Sequence, residues 1–273
     1  MNTRQQQIIE LVNSRGSIAV SELAQLVGVS EVTVRQDLNQ LAQQRVLRRV
    51  HGAAQALDSD DVGTRMNTRY GIKLALARYA ADLINDGESV LIEGGSTNAL
   101  LARILASRKS LTLITVSHYI GHLLKDAACD VIILGGMLQK SSESITGPLT
   151  RYCIQQIHFH KAFVGADGWH PETGFTGRDM QRCDVVDAVL AKGADSYVLT
   201  DRSKFGQIHP YPLSSGYQPA HVITEDGLSP DVVARLSEQG IALMQVGIAA
   251  LQAETSGGNG DGVAQDKAAL KRR

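Results

Sequence analysis

The chain has 273 residues, 43% of them hydrophobic, which is enough for one large and one small domain, each with its own core. Its 27 basic and 28 acidic side chains nearly cancel, so overall charge points to neither a nucleic acid nor a membrane as partner. No segment has the apolar length of a membrane-spanning helix, and residues 1–10 are too polar for a signal peptide, so we expect a cytoplasmic protein.

The cysteine and histidine pattern indicates neither a disulfide framework nor a metal site. Cys129, Cys153 and Cys183 are odd in number and widely spaced, so we expect reduced thiols. His118 and His122 stand four residues apart, as two ligands on one helix face would, but no third ligand lies nearby in sequence. A surface or packing role is therefore favoured for both histidines, and no metal or cofactor is expected.

Three short helices are predicted near the N-terminus, over 5–13, 20–27 and 31–44, because apolar residues recur there at three- and four-residue spacing. Ser21 and Ser30 stand at the starts of the second and third helices. A serine hydroxyl at such a position can accept a hydrogen bond from a backbone N–H that the helix start leaves unpaired. We therefore expect both serines to act as N-caps.

The third predicted helix has the composition of a helix that reads DNA, although its shape alone would equally fit a plain helical hairpin. Val32, Leu38 and Leu41 are expected to face inward. The polar face left outside consists of Ser30, Thr33, Arg35 and Gln36. Arg and Gln can pair with guanine and adenine edges in the major groove, and Ser and Thr can bind phosphate oxygens.

Residues 45–54 follow this helix and are short enough for a β-hairpin, which we interpret as a wing. Three arginines lie in it, and the chain up to residue 56 has six arginines against four acidic residues. Positive charge is thus placed where the phosphates of bound DNA would lie. The pattern predicts a winged helix-turn-helix domain, mainly α with a β wing, over residues 1–56.

These two segments resemble the DeoR family of bacterial repressors, whose recognition helix reads Ser-x-x-Thr-hydrophobic-Arg-polar-Asp-Leu and is followed by an arginine-rich wing ending in glycine. Here the pattern runs from Ser30 to Leu38 and then from Leu47 to Gly52. The resemblance continues to about residue 248. It implies that double-stranded operator DNA is contacted by Ser30, Thr33, Arg35, Gln36, Arg48, Arg49 and His51. For Asp37, an ion pair that fixes the helix is favoured over base contact, because phosphates repel a carboxylate.

A polar stretch over 57–63 has no helical or strand period and is interpreted as a solvated linker, extending to residue 72. A helix over 74–84 follows, and then apolar runs alternate with helix-compatible stretches. The runs lie at 90–92, 111–114, 131–134, 162–164, 197–199 and 221–223. This alternation predicts an α/β domain with a mainly parallel sheet over 73–250. Residues 251–273 are rich in Gly, Ser, Asp and Lys and show no apolar periodicity, so we expect a disordered tail.

Small and polar residues follow the predicted strands at their carboxyl ends, where ligands bind in α/β sheets. The segment Glu93-Gly94-Gly95-Ser96-Thr97-Asn98 combines a glycine loop, a helix start and hydroxyl groups, which suit a phosphate. By itself this signal is weak, because many α/β turns need glycine only for steric reasons. Ser117, Asp167 and Lys204 stand after other apolar runs. Trp169 fits equally well as a cover of the ligand site or as a packing residue.

The same segments resemble the DeoR effector domain, which is similar to the folds of ribose-5-phosphate isomerase and glucosamine-6-phosphate deaminase. The resemblance implies that a phosphorylated sugar or related anion binds at Gly94, Gly95, Ser96, Thr97, Asn98, Ser117, Asp167, Arg178, Arg182 and Lys204. Many family members carry Glu and then Lys where this chain has Arg182 and Val186, so the identity of the sugar stays open.

The leading prediction is a DNA-binding transcriptional repressor of carbohydrate genes that responds to this effector. The alternative is a sugar-phosphate isomerase or deaminase with an accessory DNA-binding module. The isomerase pattern Asp-Gly-Ala-Asp-Glu is replaced here by Val164-Gly165-Ala166-Asp167-Gly168, which lacks two of the three carboxylates needed for proton transfer. A helix-turn-helix that contacts only protein is a third possibility. Because one recognition helix covers few base pairs, we expect a homo-oligomer.

Overall fold

A computed structural model describes residues 3–43, 46–56 and 60–247. Its N-terminal domain has three helices and a three-stranded antiparallel sheet in the order β1-β3-β2. The elements are α1 (Thr3–Arg15), β1 (Ser17–Ala19), α2 (Val20–Val27), α3 (Glu31–Gln43), β2 (Leu47–Val50) and β3 (Ala53–Ala56). The predicted helices and the hairpin of the wing are confirmed, so this domain is a winged helix-turn-helix.

The core of this domain shows which face of α3 is buried. Val34, Leu38 and Leu41 are fully buried, at four- and three-residue spacing along one side of the helix. The prediction that Val32 faces inward is wrong, since 62% of this residue is exposed. Residues two positions apart on an α-helix are separated by about 200° of rotation, so burial of Val34 places Val32 on the outer face.

The two predicted N-caps have different outcomes. Ser30 caps α3, because its Oγ accepts a hydrogen bond of 3.2 Å from the backbone N–H of Thr33. The expected cap at Ser21 is wrong: α2 begins one residue earlier, at Val20, and its N-cap residue is Ala19. The strand β1 runs directly into α2, which leaves Ser21 inside the first turn.

The connecting segment contains regular structure that the sequence interpretation missed. The helix α4 (Val62–Asn67) lies within it, and the helix α5 (Tyr70–Asp82) begins within it. Val62 and Met66 are buried in the core of the following domain. The description of 57–63 as solvated is therefore wrong for Val62; residues 57–59 lie outside the described ranges. The division of the chain at 56 and 72 stays a prediction.

The rest of the described chain is an α/β domain. Within the described ranges, seven parallel strands form one sheet in the order β15-β14-β12-β9-β4-β5-β6. These strands are β4 (Ser89–Ile92), β5 (Thr112–Thr115), β6 (Asp130–Ile133), β9 (Lys161–Val164), β12 (Asp195–Leu199), β14 (His221–Glu225) and β15 (Ala242–Val246). The predicted mainly parallel sheet is confirmed, and β15 is an additional strand beyond the predicted runs.

Helices and short antiparallel strands surround this sheet. The helices are α6 (Ser96–Leu105), α7 (His118–Leu123), α8 (Pro148–Gln156), α9 (Met180–Leu190) and α10 (Pro230–Glu238). The short strands are β7 (Met137–Gln139), β8 (Ser144–Thr146), β10 (Gly168–His170), β11 (Gly174–Gly177) and β13 (Tyr211–Pro212). One apolar core contains residues of α4 to α7, and a second contains residues of α8 to α10. The sheet is thus covered on both faces, as its apolar strands require.

Trp169 belongs to the second core. It is fully buried against Phe175 and Phe205, with ring centroids 6.4 and 5.5 Å away. Of its two predicted roles, packing is therefore the observed one. In the described ranges no group of three or more His, Cys, Asp or Glu side chains could hold a metal ion, and His118 pairs with Glu143. None of the described helices is both long and apolar enough to span a bilayer. The predicted disordered tail lies outside the described residues.

Candidate functional site

The outer face of α3 carries the residues predicted to contact DNA. Ser30, Arg35 and Gln36 are exposed, and Thr33 is partly exposed. The guanidinium of Arg35 lies 2.6 Å from the carboxylate of Glu31, one turn earlier. This pair is on the surface and contributes little stability, so Arg35 can leave Glu31 and bind a nucleic acid instead. Val32 shares this face and supplies an apolar group that the sequence interpretation had placed in the core.

Asp37 fixes the orientation of the recognition helix. Its side chain is 6% exposed, and the Nε of Arg4 donates a hydrogen bond of 2.6 Å to its carboxylate. Gln5 donates a second, at 3.2 Å. Both partners lie on α1, so Asp37 joins α3 to α1 and points away from the exposed face. The predicted ion pair with an arginine is confirmed.

The wing places its charged residues beside α3. Leu47 is buried, whereas Arg48 and Arg49 are exposed on β2 and His51 is exposed in the turn. Arg49 donates a hydrogen bond to the side chain of Asn39 on α3, which ties the wing to the recognition helix. Helix and wing therefore form one continuous surface that carries all seven residues of the predicted DNA set.

A cavity of about 430 Å³ lies at the carboxyl ends of the central strands β4, β9 and β12. Three loops that directly follow these strands line it, over 93–98, 165–167 and 199–204, and the start of α9 closes one side. Of the ten residues predicted to bind an effector, nine line this cavity: Gly94, Gly95, Ser96, Thr97, Asn98, Asp167, Arg178, Arg182 and Lys204. Sequence positions far apart are brought together because parallel strands end at the same edge.

Ser117 is the one predicted effector residue outside the cavity lining, although it lies beside Gly94, where an added Cβ would be 3.6 Å from the Ser117 Cβ. It is buried and outside the cavity lining, and its Oγ accepts a hydrogen bond of 3.2 Å from the N–H of Ile120. Ser117 thus caps α7. The strand β5, which it follows, lies one position further from the centre of the sheet than β4.

The loop after β4 brings the start of α6 and a buried hydrogen-bond acceptor to the cavity. Gly95 precedes α6 with φ of 86°, a left-handed conformation that side chains disfavour. Asn98, which is 1% exposed, donates hydrogen bonds to the carbonyl oxygens of Gly94 and Phe163, at 2.8 and 3.3 Å. Its Oδ1 has no hydrogen-bond partner among the described residues. A ligand donor in the cavity would satisfy this buried acceptor.

The pKa values of two carboxylates in the cavity, Asp167 and Glu93, are shifted in opposite directions. Burial alone would raise the pKa of Asp167, but the Arg65 and Arg182 guanidiniums and the Arg178 N–H, 3.0 Å away, lower it below its usual value. Burial raises the pKa of Glu93, and nearby Asp167 reinforces this shift, which Arg182, the Gly165 N–H at 3.3 Å and Arg65 oppose. Asp167 is thus a firm hydrogen-bond acceptor, whereas the charge of Glu93 depends on what occupies the cavity.

The connecting segment contributes charged residues that the sequence interpretation missed. Asp60, Arg65, Arg69 and Lys73 all line the cavity. Arg182 Nη2 lies 3.4 Å from the carboxylate of Asp60 and 4.0 Å from that of Asp167. Three of the missed residues are cations spaced by four, at 65, 69 and 73, and this repeat was the available signal in the sequence. One continuous helix does not account for their proximity, because Arg69 is in the left-handed region between α4 and α5.

The winged-helix domain also reaches this cavity. Gly16, Gln55 and Ala56, at the ends of β1 and β3, belong to its lining. The cavity therefore lies between the α/β domain, the connecting segment and the DNA-binding domain. A ligand in it would contact all three parts of the chain.

Comparisons with known proteins identify the family. The model of the DeoR C terminal sensor domain matches residues 68–226, and the model of the DeoR-like helix-turn-helix domain matches residues 4–60. The chain belongs to the DeoR family. It is accordingly a DNA-binding transcriptional regulator with a sensor domain, which confirms the predicted family and the general function.

Two relatives and one solved structure are among the proteins to which the chain is similar. The lactose phosphotransferase system repressor of Staphylococcus epidermidis is 29% identical, over 75% of this chain and 84% of the relative. The L-fucose operon activator of Haemophilus influenzae is 26% identical, over 88% of this chain and 97% of the relative. Ribose 5-phosphate isomerase A from Methanocaldococcus jannaschii is 23% identical over 49% of this chain and 53% of that chain, with a TM-score of 0.37.

Proposed function

We propose that this DeoR-family protein represses carbohydrate genes and that a phosphorylated sugar, bound in the cavity at the carboxyl ends of β4, β9 and β12, modulates its affinity for operator DNA. The carbohydrate assignment is supported by the names of relatives that act on lactose and L-fucose systems. Those names include both a repressor and an activator. Repression is our choice for this chain, and a reporter gene placed behind the operator tests it.

The observation that carries the proposal is the chemistry of the cavity. Unpaired N–H groups at the start of α6 and the cations Arg65, Arg182 and Lys204 suit a phosphate. The acceptors Asp167 and Asn98 suit sugar hydroxyl groups. A cavity of about 430 Å³ lies in the size range of sites for small molecules. A turn that served only packing would not require this combination.

A sugar-phosphate isomerase is the competing function, and the environment of Asp167 disfavours this residue as its catalytic base. A catalytic base needs a pKa near the working pH, whereas the cations around Asp167 hold its pKa below the usual value. We also propose a homo-oligomer, because two recognition helices on related half-sites are needed for specific operator binding.

Genomic footprinting of the full-length protein, repeated with a panel of sugar phosphates and their unphosphorylated sugars, tests the function directly. The expected result is protection of a site near carbohydrate genes that one phosphorylated sugar weakens and its unphosphorylated form does not. An operator that no sugar phosphate affects would contradict the effector assignment. Turnover of a sugar phosphate by the protein alone would support the isomerase instead.

A further inference from the structure

The charges around Lys73 are unbalanced within the cavity. Lys73 lies on α5, is 6% exposed, and donates a hydrogen bond through Nζ to the carbonyl oxygen of Arg65. The charged groups that act on it are three cations, Arg65, Arg69 and Lys204, and one carboxylate, Asp201. The three cations come from α4, from the turn before α5 and from the loop after β12.

The single facing carboxylate is already engaged. Asp201 accepts hydrogen bonds from the Arg69 guanidinium and from the N–H and hydroxyl of Ser203. Arg69 also pairs with Glu225, which is fully buried. Arg65 lies 3.8 Å from the carboxylate of Asp167. Lys73, Arg65 and Lys204 therefore share two carboxylates, Asp201 and Asp167, each of which also pairs with another arginine.

We propose that Lys73 and Arg65, together with Lys204, form the binding site for the phosphate group of the effector, so that the connecting segment itself holds the ligand. This inference rests on the proposed function and specifies which residues take the charged end of its effector. Asp167 and Asn98 are left for the hydroxyl groups. A tetrahedral dianion supplies the negative charge and the acceptor oxygens that the three cations lack.

This placement explains how a ligand bound in the α/β domain can affect the DNA-binding domain. Arg65 lies on α4, the first helix after the wing, and Asp60, just before α4, pairs with Arg182 across the cavity. Gln55 of the wing strand β3 borders the same space. A phosphate bound to Arg65 and Lys73 would therefore contact the segment that directly follows the winged helix in the chain.

The titration state of Lys73 gives a specific readout. Burial, reinforced by Arg65, Lys204 and Arg69 and opposed by Asp201, lowers the pKa of Lys73 to about 7. At pH 8 the amine is mostly neutral, and a bound dianion would raise its pKa and cause proton uptake. Lys204, whose pKa is also lowered by burial, would contribute in the same direction. Sulfate is a suitable probe because it is a tetrahedral dianion that does not itself titrate at this pH.

The experiment is calorimetric titration of the full chain with sulfate at pH 8 in two buffers of different ionisation enthalpy. The wild type is expected to bind sulfate with net proton uptake. Lys73→Met should bind it about tenfold more weakly, as loss of one charge-assisted hydrogen bond implies, and with less uptake. Arg65→Gln, a partly exposed position, should weaken binding similarly and serves if Lys73→Met does not fold. Arg78→Gln, on the exposed side of α5, is the matched control and should behave as wild type.

Two outcomes overturn the inference. One is that the folded wild type does not bind sulfate across the millimolar range. The other is that affinity and proton uptake are unchanged in both Lys73→Met and Arg65→Gln. If a sugar phosphate nevertheless weakens operator binding by the wild type, the proposed function stands and only the phosphate position is wrong. If sulfate binds as expected but no sugar phosphate affects operator binding, the anion site stands and the proposed function fails.

Discussion

The backbone N–H of Arg69 donates a hydrogen bond of 2.9 Å to the carbonyl oxygen of Asn13, in the last turn of α1. The side chain of the same residue pairs with Asp201 and Glu225 at the carboxyl ends of β12 and β14. Arg69 adopts φ of 56°, in the left-handed region. One residue thus joins the DNA-binding domain to the edge of the sheet where the cavity lies.

Arg69→Met is expected to destabilise the protein by about 3–5 kcal/mol, because it leaves two buried carboxylates without their cation. Urea unfolding followed by circular dichroism measures this change. Arg235→Met is the control, since Arg235 pairs with exposed Glu238 and its loss should cost about 0–1 kcal/mol. Equal effects of the two substitutions would show that the Arg69 pairs do not stabilise the fold.

Val32→Ala and Val34→Ala test the orientation of the recognition helix. Val34→Ala should lower the free energy of unfolding by about 1–3 kcal/mol, because it leaves a cavity in the core. Val32→Ala should change it by about 0.5 kcal/mol or less but weaken operator binding, because an exposed apolar group on this face can contact a thymine methyl group. Thermal unfolding and gel-shift titration measure these two effects. A loss of stability in Val32→Ala and a loss of operator binding alone in Val34→Ala would show that Val32 faces the core.

Arg35→Ala and Arg48→Ala should affect DNA binding in different ways. If Arg35 reads a base edge, its loss costs about 1–3 kcal/mol on the operator and relaxes sequence preference. Loss of Arg48, as a phosphate contact, should weaken binding to all sequences alike and reduce the dependence of affinity on salt. Binding titrations on operator and scrambled DNA at several salt concentrations measure both effects. Wild-type binding by both variants would refute the assignment of this surface.

Lys204→Ala should remove most of the affinity for the sugar phosphate that footprinting identifies, without unfolding the protein. Linkage adds a quantitative requirement. If this ligand weakens operator binding by some factor, saturating operator DNA must weaken ligand binding by the same factor. Calorimetric titration of wild type and variant, with and without operator DNA, checks both statements. Full ligand affinity in both Lys204→Ala and Thr97→Ala would mean that the ligand binds elsewhere.

Glu93→Gln should alter how stability depends on pH. Because burial raises the pKa of Glu93 in the folded state, the stability that the neutral carboxyl contributes is complete below its unfolded pKa and is lost as pH rises through the folded pKa. Gln keeps an oxygen that can accept the Gly165 N–H and never ionises. Unfolding titrations from pH 4 to 8 should therefore show a smaller loss of stability toward high pH in Glu93→Gln. A profile that parallels the wild type would contradict the raised pKa.

Local patterns in the sequence were sufficient for the helices of the winged helix-turn-helix and for six of the seven strands of the central sheet, but not for α4 or β15. The periodicity of α1 to α3, the apolar runs of the central sheet and the cap at Ser30 depend on interactions within a few residues or on burial of a whole segment. The exposure of Ser30, Arg35 and Gln36 was predictable for the same reason, since it follows from the period of a single helix and its cap. Asp37 was predictable from its charge, because a carboxylate on a DNA-binding element needs a cation nearby.

Tertiary structure alone decided which groups share the cavity. The pairing of Asp60 with Arg182 spans more than a hundred residues, and the convergence of Arg65, Lys73 and Lys204 depends on how α4 and α5 pack over the strand ends. Ser117 lies beside Gly94 but caps α7, a role that the sequence after β5 does not distinguish from ligand binding. Val32 was misplaced because a single turn does not reveal which of two apolar residues meets the core. The sequence thus determined local conformation and residue chemistry, whereas strand order and helix packing determined the neighbours on which binding depends.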